Sequence, residues 1–395
     1  RGAIGNLVFD VLRRRLSLAA IMGDSASRAV VLAAYVRLWG RDVAALEAAL
    51  ADDRHAPSPL TSGERDRLAA GAVPDDAPDH VRADVPDWLE ASLRRTFGDR
   101  LAVEGAALAG RADIDLRVNT LKADRETVLA ALGDLGAEPT PWSPVGVRVS
   151  TGAADEKPPF VGAELSYKKG LFEVQDEGSQ VAALIATLDS GGQIVDLCTG
   201  AGGKALAMAA SVGNRGQIYA YDSDKRRFGD ILDRIARSGA RNIQIREPRR
   251  SGDALADLAG KADTVLIDAP CTGSGTWRRR PDAKWRLAPG ALELRQREQA
   301  EVLADGARLV RPGGQIVYVT CSVLPEENED RVAAFLAEQA DFRLADGAAA
   351  FKAATGRDAP AHTAVAVSGA DDQALRLTPA TTATDGFFVA VLERA

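Results

Sequence analysis

From residue 193 to residue 392 the sequence alternates short apolar runs with longer stretches, and that alternation leaves few folds open. The runs lie at 193–197, 217–221, 242–246, 264–267, 315–320, 375–377 and 387–392. Each is too short for a helix, whereas most of the segments between them have room for a helical crossover. This is the order of a doubly wound sheet, the α/β class. The last two runs flank Asp385-Gly386, a turn signal, and are expected to form an antiparallel edge hairpin.

Upstream, residues 1–52 read as amphipathic helices. Ile4, Leu7, Val8, Val11 and Leu12 fall at helical spacing, and 29–38 and 42–50 repeat the pattern. A helix already under way at Arg1 predicts that the natural chain starts earlier. From 51 to 86 Asp, Pro, Ala and Gly take over, with Pro57, Pro59, Pro74 and Pro78, which reads as a linker. Pro86-Asp87-Trp88-Leu89 then opens a helix, followed by a strand at Leu116-Arg117-Val118 and a helix over 125–132. The expected modules are a helical region and linker at 1–85, a small α+β module at 86–170 and the α/β domain at 171–395. The alanine-rich stretch 345–370 reads as a loop.

Composition narrows the function. No apolar run reaches the ~18 to 20 residues of a membrane span, and no signal peptide is visible, so a cytoplasmic protein is expected. The three cysteines, Cys198, Cys271 and Cys321, fit reduced thiols. No C-x-x-C pair occurs, and His55, His80 and His362 lie near no cysteine in sequence, so no metal site is expected. A net charge of −7 argues against uniform nucleic-acid binding, yet residues 277–286 hold five cations and one anion. Arg278, Arg279, Arg280, Lys284 and Arg286, interleaved with Trp277 and Trp285, are read as a phosphate track with aromatic surface for stacking. Arg13-Arg14-Arg15 is a further candidate contact.

Glycine punctuation places a cofactor. Asp196-Leu197-Cys198-Thr199-Gly200-Ala201-Gly202-Gly203-Lys204 follows a strand and opens a helix, so bare backbone can approach a ligand there. Asp222 closes the next strand, where an acid can accept from both hydroxyls of a ribose. Asp253 is equally readable as an adenine contact or as a turn cap. The spacing Gly200-x-Gly202-Gly203 departs from the dinucleotide fingerprint, which turns the expectation from a dehydrogenase to S-adenosylmethionine. Seven strands ending in a hairpin agree with a methyltransferase-type sheet.

Two thiols at strand ends, Cys271 in Asp268-Ala269-Pro270-Cys271 and Cys321 in Thr320-Cys321-Ser322, complete the pattern. With Thr272-Gly273-Ser274-Gly275-Thr276, Leu116 to Lys122, Gln175 to Gln180, Pro325-Glu326-Glu327-Asn328-Glu329 and Asp385-Gly386-Phe387-Phe388, the chain resembles the Sun/Fmu (RsmB/Nop) RNA cytosine-5 methyltransferases. Its N-terminal helices look like the bacterial branch that carries a NusB-like domain. The resemblance implies a Rossmann-like S-adenosylmethionine-dependent domain. It also implies a substrate in RNA, of the small ribosomal subunit, and a monomer.

The resemblance also implies roles. Cytosine C5 becomes nucleophilic only after a thiolate adds at C6, a step assigned to Cys321. Asp268 would supply a proton or hydrogen bond near N3, as a buried acid of raised pKa. Cys271 would serve release, and Lys204 would orient the base or Asp268, or lower a nearby thiol pKa by its charge. Leu197 to Lys204, Asp222, Asp253 and Asp268 would surround the cofactor. Ala201 and Ala205 stand where the family commonly has Pro and Thr, which touches cofactor affinity rather than reaction type. Two rival readings are a transfer RNA or other ribosomal target for the same chemistry, and a non-catalytic RNA-binding assembly factor. The intact cysteine pair speaks against the second.

Overall fold

The computed structural model describes residues 2–51, 55–154, 156–188, 192–249 and 251–395. Its strands, in chain order, are β1 (Ile114–Val118), β2 (Glu138–Pro139), β3 (Gly146–Val149), β4 (Phe172–Val174), β5 (Gln193–Asp196), β6 (Gln217–Tyr221), β7 (Ile243–Arg246), β8 (Ala262–Asp268), β9 (Val310–Thr320), β10 (Phe342–Leu344), β11 (Ala364–Ala366), β12 (Gln373–Leu377) and β13 (Phe387–Arg394). The seven strands expected from sequence are all present in a nine-stranded sheet of order β11-β12-β13-β9-β8-β5-β6-β7, with β10 on β13. The run from β9 to β7 is parallel, and β13 pairs antiparallel with β9. β5 lies between β6 and β8, so successive crossovers leave it in opposite directions. That reversal opens a crevice at the carboxyl ends of β5 and β8.

Alternation along each strand builds the core. Ile194, Leu266, Val317 and Val319 enter one apolar cluster with the helices Glu177–Ile185 and Gly203–Ser211. Val195, Val265, Ile267, Ile316 and Tyr318 enter another, which includes Leu303 of the helix Pro289–Leu309. Side chains one residue apart thus go to opposite faces, as a sheet covered on both sides requires.

One expectation from the C-terminal part is corrected. The stretch 345–370 is not merely a loop: it holds the helix Gly347–Thr355 and β11. Asp346 caps that helix by accepting from the N–H groups of Ala348 and Ala349, and alanine, uninformative in a hydrophobic pattern, is the strongest helix former. The antiparallel pairing expected of the last two runs is present between β12 and β13, although β11 takes the edge and the connection holds the helix Pro379–Thr382, capped by Thr378.

The chain divides into two compact units. The first comprises Arg1–Ala112, Thr151–Pro158 and Trp277–Arg286; the second comprises Asp113–Ser150, Pro159–Thr276 and Leu287–Ala395. These cuts differ from the three expected modules. The helices within 87–108 pack in the first unit, while the four-stranded sheet β2-β3-β1-β4 is part of the second. There Asn119 donates to the carbonyls of Gly170 and Ser238, both at 2.8 Å, which ties the small sheet to the large one. The expected linker 51–86 also contains the helix Ser62–Ala70, started by a capping box between Thr61 and Glu64. Among the described residues, no single helix is long and apolar enough to cross a membrane.

In the first unit, the cationic segment completes the helix Gly2–Arg13. The Trp285 indole N–H donates to Leu12 C=O at 2.6 Å, and Lys284 Nζ donates to Arg13 C=O at 2.8 Å. These are carbonyls that a helix end leaves unpaired. Asp84 serves the next helix, Arg15–Met22, by accepting at 2.9 Å from the N–H groups of both Leu16 and Ser17.

Candidate active site

The crevice is lined by the loops that leave β5, β8 and β9. After β5, Asp196 is fully buried and accepts from Thr199 Oγ1 at 2.9 Å, while Gly202 N–H donates to Thr199 C=O. Burial above all, with Asp268 and Asp222 nearby, pushes the Asp196 carboxyl up to about 7, against the opposing Thr199 hydroxyl and Lys204. The chain then turns through Gly200 at φ +50° and Gly202 at φ +80°, a conformation that glycine adopts without strain. The first intrahelical bond is Leu206 N–H to Gly202 C=O, so the preceding N–H groups of the first turn face outward at a helix N-terminus. Open space lies in front of Gly200, where even an added Cβ would touch nothing. Arg234 fixes the turn from outside by donating to Ala201 C=O at 2.6 Å.

Asp222, at the end of β6, is 1% exposed. It accepts from Gly200 N–H and Asp224 N–H, each at 3.1 Å, and pairs with Arg227 at 3.3 Å. Asp253 sits in the capping arrangement: it accepts from Leu255 N–H at 2.7 Å and pairs with Arg308 at 2.9 Å. Leu197 and Cys198 pack into the core behind the turn. Burial, reinforced by the charges of Asp196, Asp222 and Asp268, pushes the Cys198 thiol well up, which makes it unreactive.

Lys204, the second residue of the helix Gly203–Ser211, reaches Asp268 Oδ2 at 2.7 Å. Its ammonium lies 5.5 Å from the centroid of the Phe387 ring. Burial pulls the Lys204 pKa down, but the Asp268 carboxylate, with smaller contributions from Cys321 and Asp196, turns the net shift upward. Asp268 departs from the buried acid expected: its side chain is 36% exposed and ion-paired. Lys204 therefore keeps its charge.

The two thiols lie beside this pair. Cys271 Sγ and Cys321 Sγ are 3.4 Å apart, at the carboxyl ends of β8 and β9. The hydrogen bond to Cys321, burial and the charges of Cys321 and Glu327 push the Cys271 thiol well above its usual range. The two sulfurs are within hydrogen-bonding distance, and either can be the donor. The loops are laced by backbone, with Gly275 N–H donating to Cys321 C=O at 2.9 Å and Gly386 N–H to Gly275 C=O at 2.8 Å. A Cβ on Gly275 would stand 2.1 Å from the Gly386 oxygen, which is why a side chain has no place there.

Against known proteins, residues 183–393 match the family model described as 16S rRNA methyltransferase RsmB/F. The chain belongs to that family. Residues 85–154 match the ferredoxin-like domain of the same proteins. The probable ribosomal RNA small subunit methyltransferase B of Synechocystis sp. is 33% identical over 65% of this chain and 57% of its own length. Ribosomal RNA small subunit methyltransferase B of Salmonella typhi is 34% identical over 66% and 59%. The matches thus span less than three fifths of these relatives. Among solved structures, PH0851 superposes with a TM-score of 0.70 and 26% identity, over 98% of this chain and 89% of that one.

Within this RsmB/F-type site, Lys204, Asp268, Cys271 and Cys321 come together, and the turn from Leu197 to Gly203 lies beside them. The cationic segment belongs to the first unit and is only partly exposed. Arg279, Arg280 and Arg286 face solvent, with Arg286 paired to Asp282 at 2.6 Å. Arg278 and Lys284 are buried, and the Trp285 ring lies against Lys284, at 5.0 Å. Buried and capping a carbonyl, Lys284 is removed from the track expected of it, while Trp285 is half-buried with its indole N–H taken by Leu12 C=O.

Sequence reasoning gave Glu327 no role. It is fully buried beneath the two thiol loops. Its Oε1 accepts from Thr272 N–H at 2.8 Å and Gln299 Nε2 at 3.1 Å; its Oε2 accepts from the hydroxyls of Thr272 and Ser322, both at 2.5 Å. One carboxylate thereby holds the residues that follow both cysteines. The available signal was the run Pro325 to Glu329, which begins five residues after β9 and carries three acids close to the Cys321 strand end.

Proposed function

We propose that this protein is an S-adenosylmethionine-dependent RNA cytosine-5 methyltransferase acting on small-subunit ribosomal RNA through a covalent adduct between Cys321 and cytosine C6. The observation that carries the reading is the pair of sulfurs 3.4 Å apart beside the Lys204–Asp268 ion pair. Membership of the RsmB/F family supports the substrate.

The residues fit the cofactor. The open side of Gly200, the N–H groups at the start of the helix Gly203–Ser211 and the acid Asp222 would hold S-adenosylmethionine, which supplies an electrophilic methyl group when bound. The turn at Asp253 is left to its capping role. Cys321 attacks C6 as the thiolate, its proton having gone to solvent, forming an S–C6 bond and shifting ring electrons toward N3 and C5. The carboxylate of Asp268 accepts from the exocyclic amine of cytosine, and the proton shared with Lys204 serves N3 as negative charge builds. C5, now nucleophilic, takes the methyl group. In the last step Cys271, as its thiolate, takes the C5 proton while the S–C6 bond breaks, which restores the aromatic ring and returns Cys321 as the thiolate. Because C6 is inaccessible inside a helix, the target cytosine is single-stranded or flipped out.

The test is methyl transfer from labelled S-adenosylmethionine to total bacterial RNA and to assembling small subunits, with products mapped to the nucleotide. Wild type should yield 5-methylcytosine in small-subunit RNA. Cys321→Ala should be inactive without adduct, and Cys271→Ala inactive with a covalent protein–RNA species that resists denaturant. Full activity in Cys321→Ala would overturn the nucleophile, and a map confined to transfer RNA would overturn the substrate.

A further inference from the structure

Arg117 lies on β1 and points away from the core formed by Leu116 and Val118. It is 3% exposed, and its Nε has no hydrogen-bond partner. The acid opposite it in the sheet register is Glu173 on β4, but that carboxylate is shared with Arg234 at 2.9 Å and Arg237 at 2.6 Å. Three arginines therefore face one glutamate. Burial lowers the Arg117 pKa to about 10, with Glu173 opposing and Arg234 adding to the effect, so the guanidinium is still charged at neutral pH. A buried charge without a matched partner is costly, and the ordinary remedy is an ion of opposite sign.

Space for one exists. Arg117 lines a cavity of about 200 Å³, open on one side, whose walls include Thr120, Leu184 and Ala210. Gln180 lines it too and is fully buried. Its Nε2 donates to Gln175 C=O at 2.8 Å, which fixes the amide and makes Oε1 the acceptor, and that Oε1 has no partner. The Ala210 carbonyl, which would repel an anion, is already taken by the Thr120 hydroxyl at 3.1 Å. The pocket thus offers one cation and one unused acceptor. Its complement is an oxyanion with a hydroxyl donor next to it, and a phosphodiester beside a ribose 2′-hydroxyl has that form.

We propose that this pocket binds one backbone phosphate of the RNA substrate on Arg117 and the adjacent 2′-hydroxyl on Gln180. The site lies in the second unit, on the face of the small sheet turned toward the helices Glu177–Ile185 and Gly203–Ser211. The proposal rests on the RNA reading above for the source of the phosphate, while the anion chemistry stands independently of it.

The test uses the whole chain. Thermal unfolding is followed in inorganic phosphate and in chloride at equal ionic strength, for wild type and for Arg117→Met, a side chain of similar reach without charge. Phosphate should raise the wild-type midpoint more than chloride does, and Arg117→Met should be at least as stable in chloride and lose the phosphate effect. Binding of a short single-stranded RNA should weaken about tenfold in Arg117→Met, with its log–log salt slope reduced by about one. For the unmodified protein, one 2′-deoxy substitution in that RNA should weaken binding, and Gln180→Leu should abolish the difference. No phosphate effect in wild type together with unchanged RNA affinity in Arg117→Met would overturn the site. An Arg117-dependent phosphate effect with unchanged RNA affinity would overturn RNA as the source. If no RNA is ever methylated but the phosphate effect depends on Arg117, the functional reading fails and the anion site stands.

Discussion

Glu327 is a carboxylate that an amide cannot imitate, although glutamine has the same shape. It accepts four hydrogen bonds from Thr272, Gln299 and Ser322, whereas an amide presents one accepting atom and two donor hydrogens. Glu327→Gln would therefore leave Thr272 N–H or the facing hydroxyls without an acceptor, and the loop bearing Cys271 would shift relative to Cys321. Misplacement of a reacting group by about 1 Å costs on the order of a hundredfold in rate. The expected result is a fall in kcat of that order with the KM for RNA little changed, measured in single-turnover methyl transfer. The fold should survive, because burial raises the Glu327 pKa and the neutral amide escapes that desolvation. Unchanged kcat would make Glu327 a packing residue.

At the scale of elements, what the sequence made legible was periodic and local. Strands such as β5 and β9 show as apolar runs because they are buried on both faces, and the cofactor turn shows because only glycine tolerates its backbone. The thiol pair was readable from strand ends. Invisible were features set by distant chain: β10 and β11, three residues each, have no pattern of their own, and Glu327 acquires meaning only when the loop at 272 folds against it. The capping box Thr61 to Glu64 was written locally and still passed over among prolines. Lys284 is the strongest case, since a cation between tryptophans looks like an RNA contact until helix Gly2–Arg13 needs its carbonyl capped. Burial lowers the Lys284 pKa from 10.5 to about 7, against the pull of Asp84. The fold then binds fewer protons than the unfolded chain between these values, so the cost of burying the charge is fully present below pH 7 and fades as pH rises toward 10.5. Lys284→Met should be more stable than wild type at pH 7, with the gap closing as pH rises through that window in urea titrations. A gap that stays constant with pH would mean that the ammonium is paired or hydrated.

The whole molecule is threaded so that the stability of one unit is expected to depend on the other. The first unit is assembled from three separate stretches of chain, and its segment Trp277–Arg286 enters from Thr276 and leaves to Leu287, both in the second unit. While the second unit is folded, the chain entering that segment is held in place by the bonds from Gly275 to Cys321 and Gly386, and the chain leaving it continues into the folded helix Pro289–Leu309. Once it unfolds, residues 159–276 become a flexible loop of 118 residues, whose closure costs roughly 4 kcal/mol. The first unit should therefore lose stability when the second melts. Four of the five tryptophans, Trp39, Trp88, Trp277 and Trp285, belong to the first unit, so Trp142→Phe leaves fluorescence reporting on that unit alone. In this background Gly275→Ala would force a Cβ against the Gly386 backbone and cost the second unit about 1 to 3 kcal/mol. The tryptophan midpoint in urea should fall along with the far-ultraviolet circular dichroism midpoint, although the substitution lies in the other unit. If fluorescence holds its midpoint while circular dichroism shifts, the segment Trp277–Arg286 keeps its place without the second unit, and the threading does not couple them.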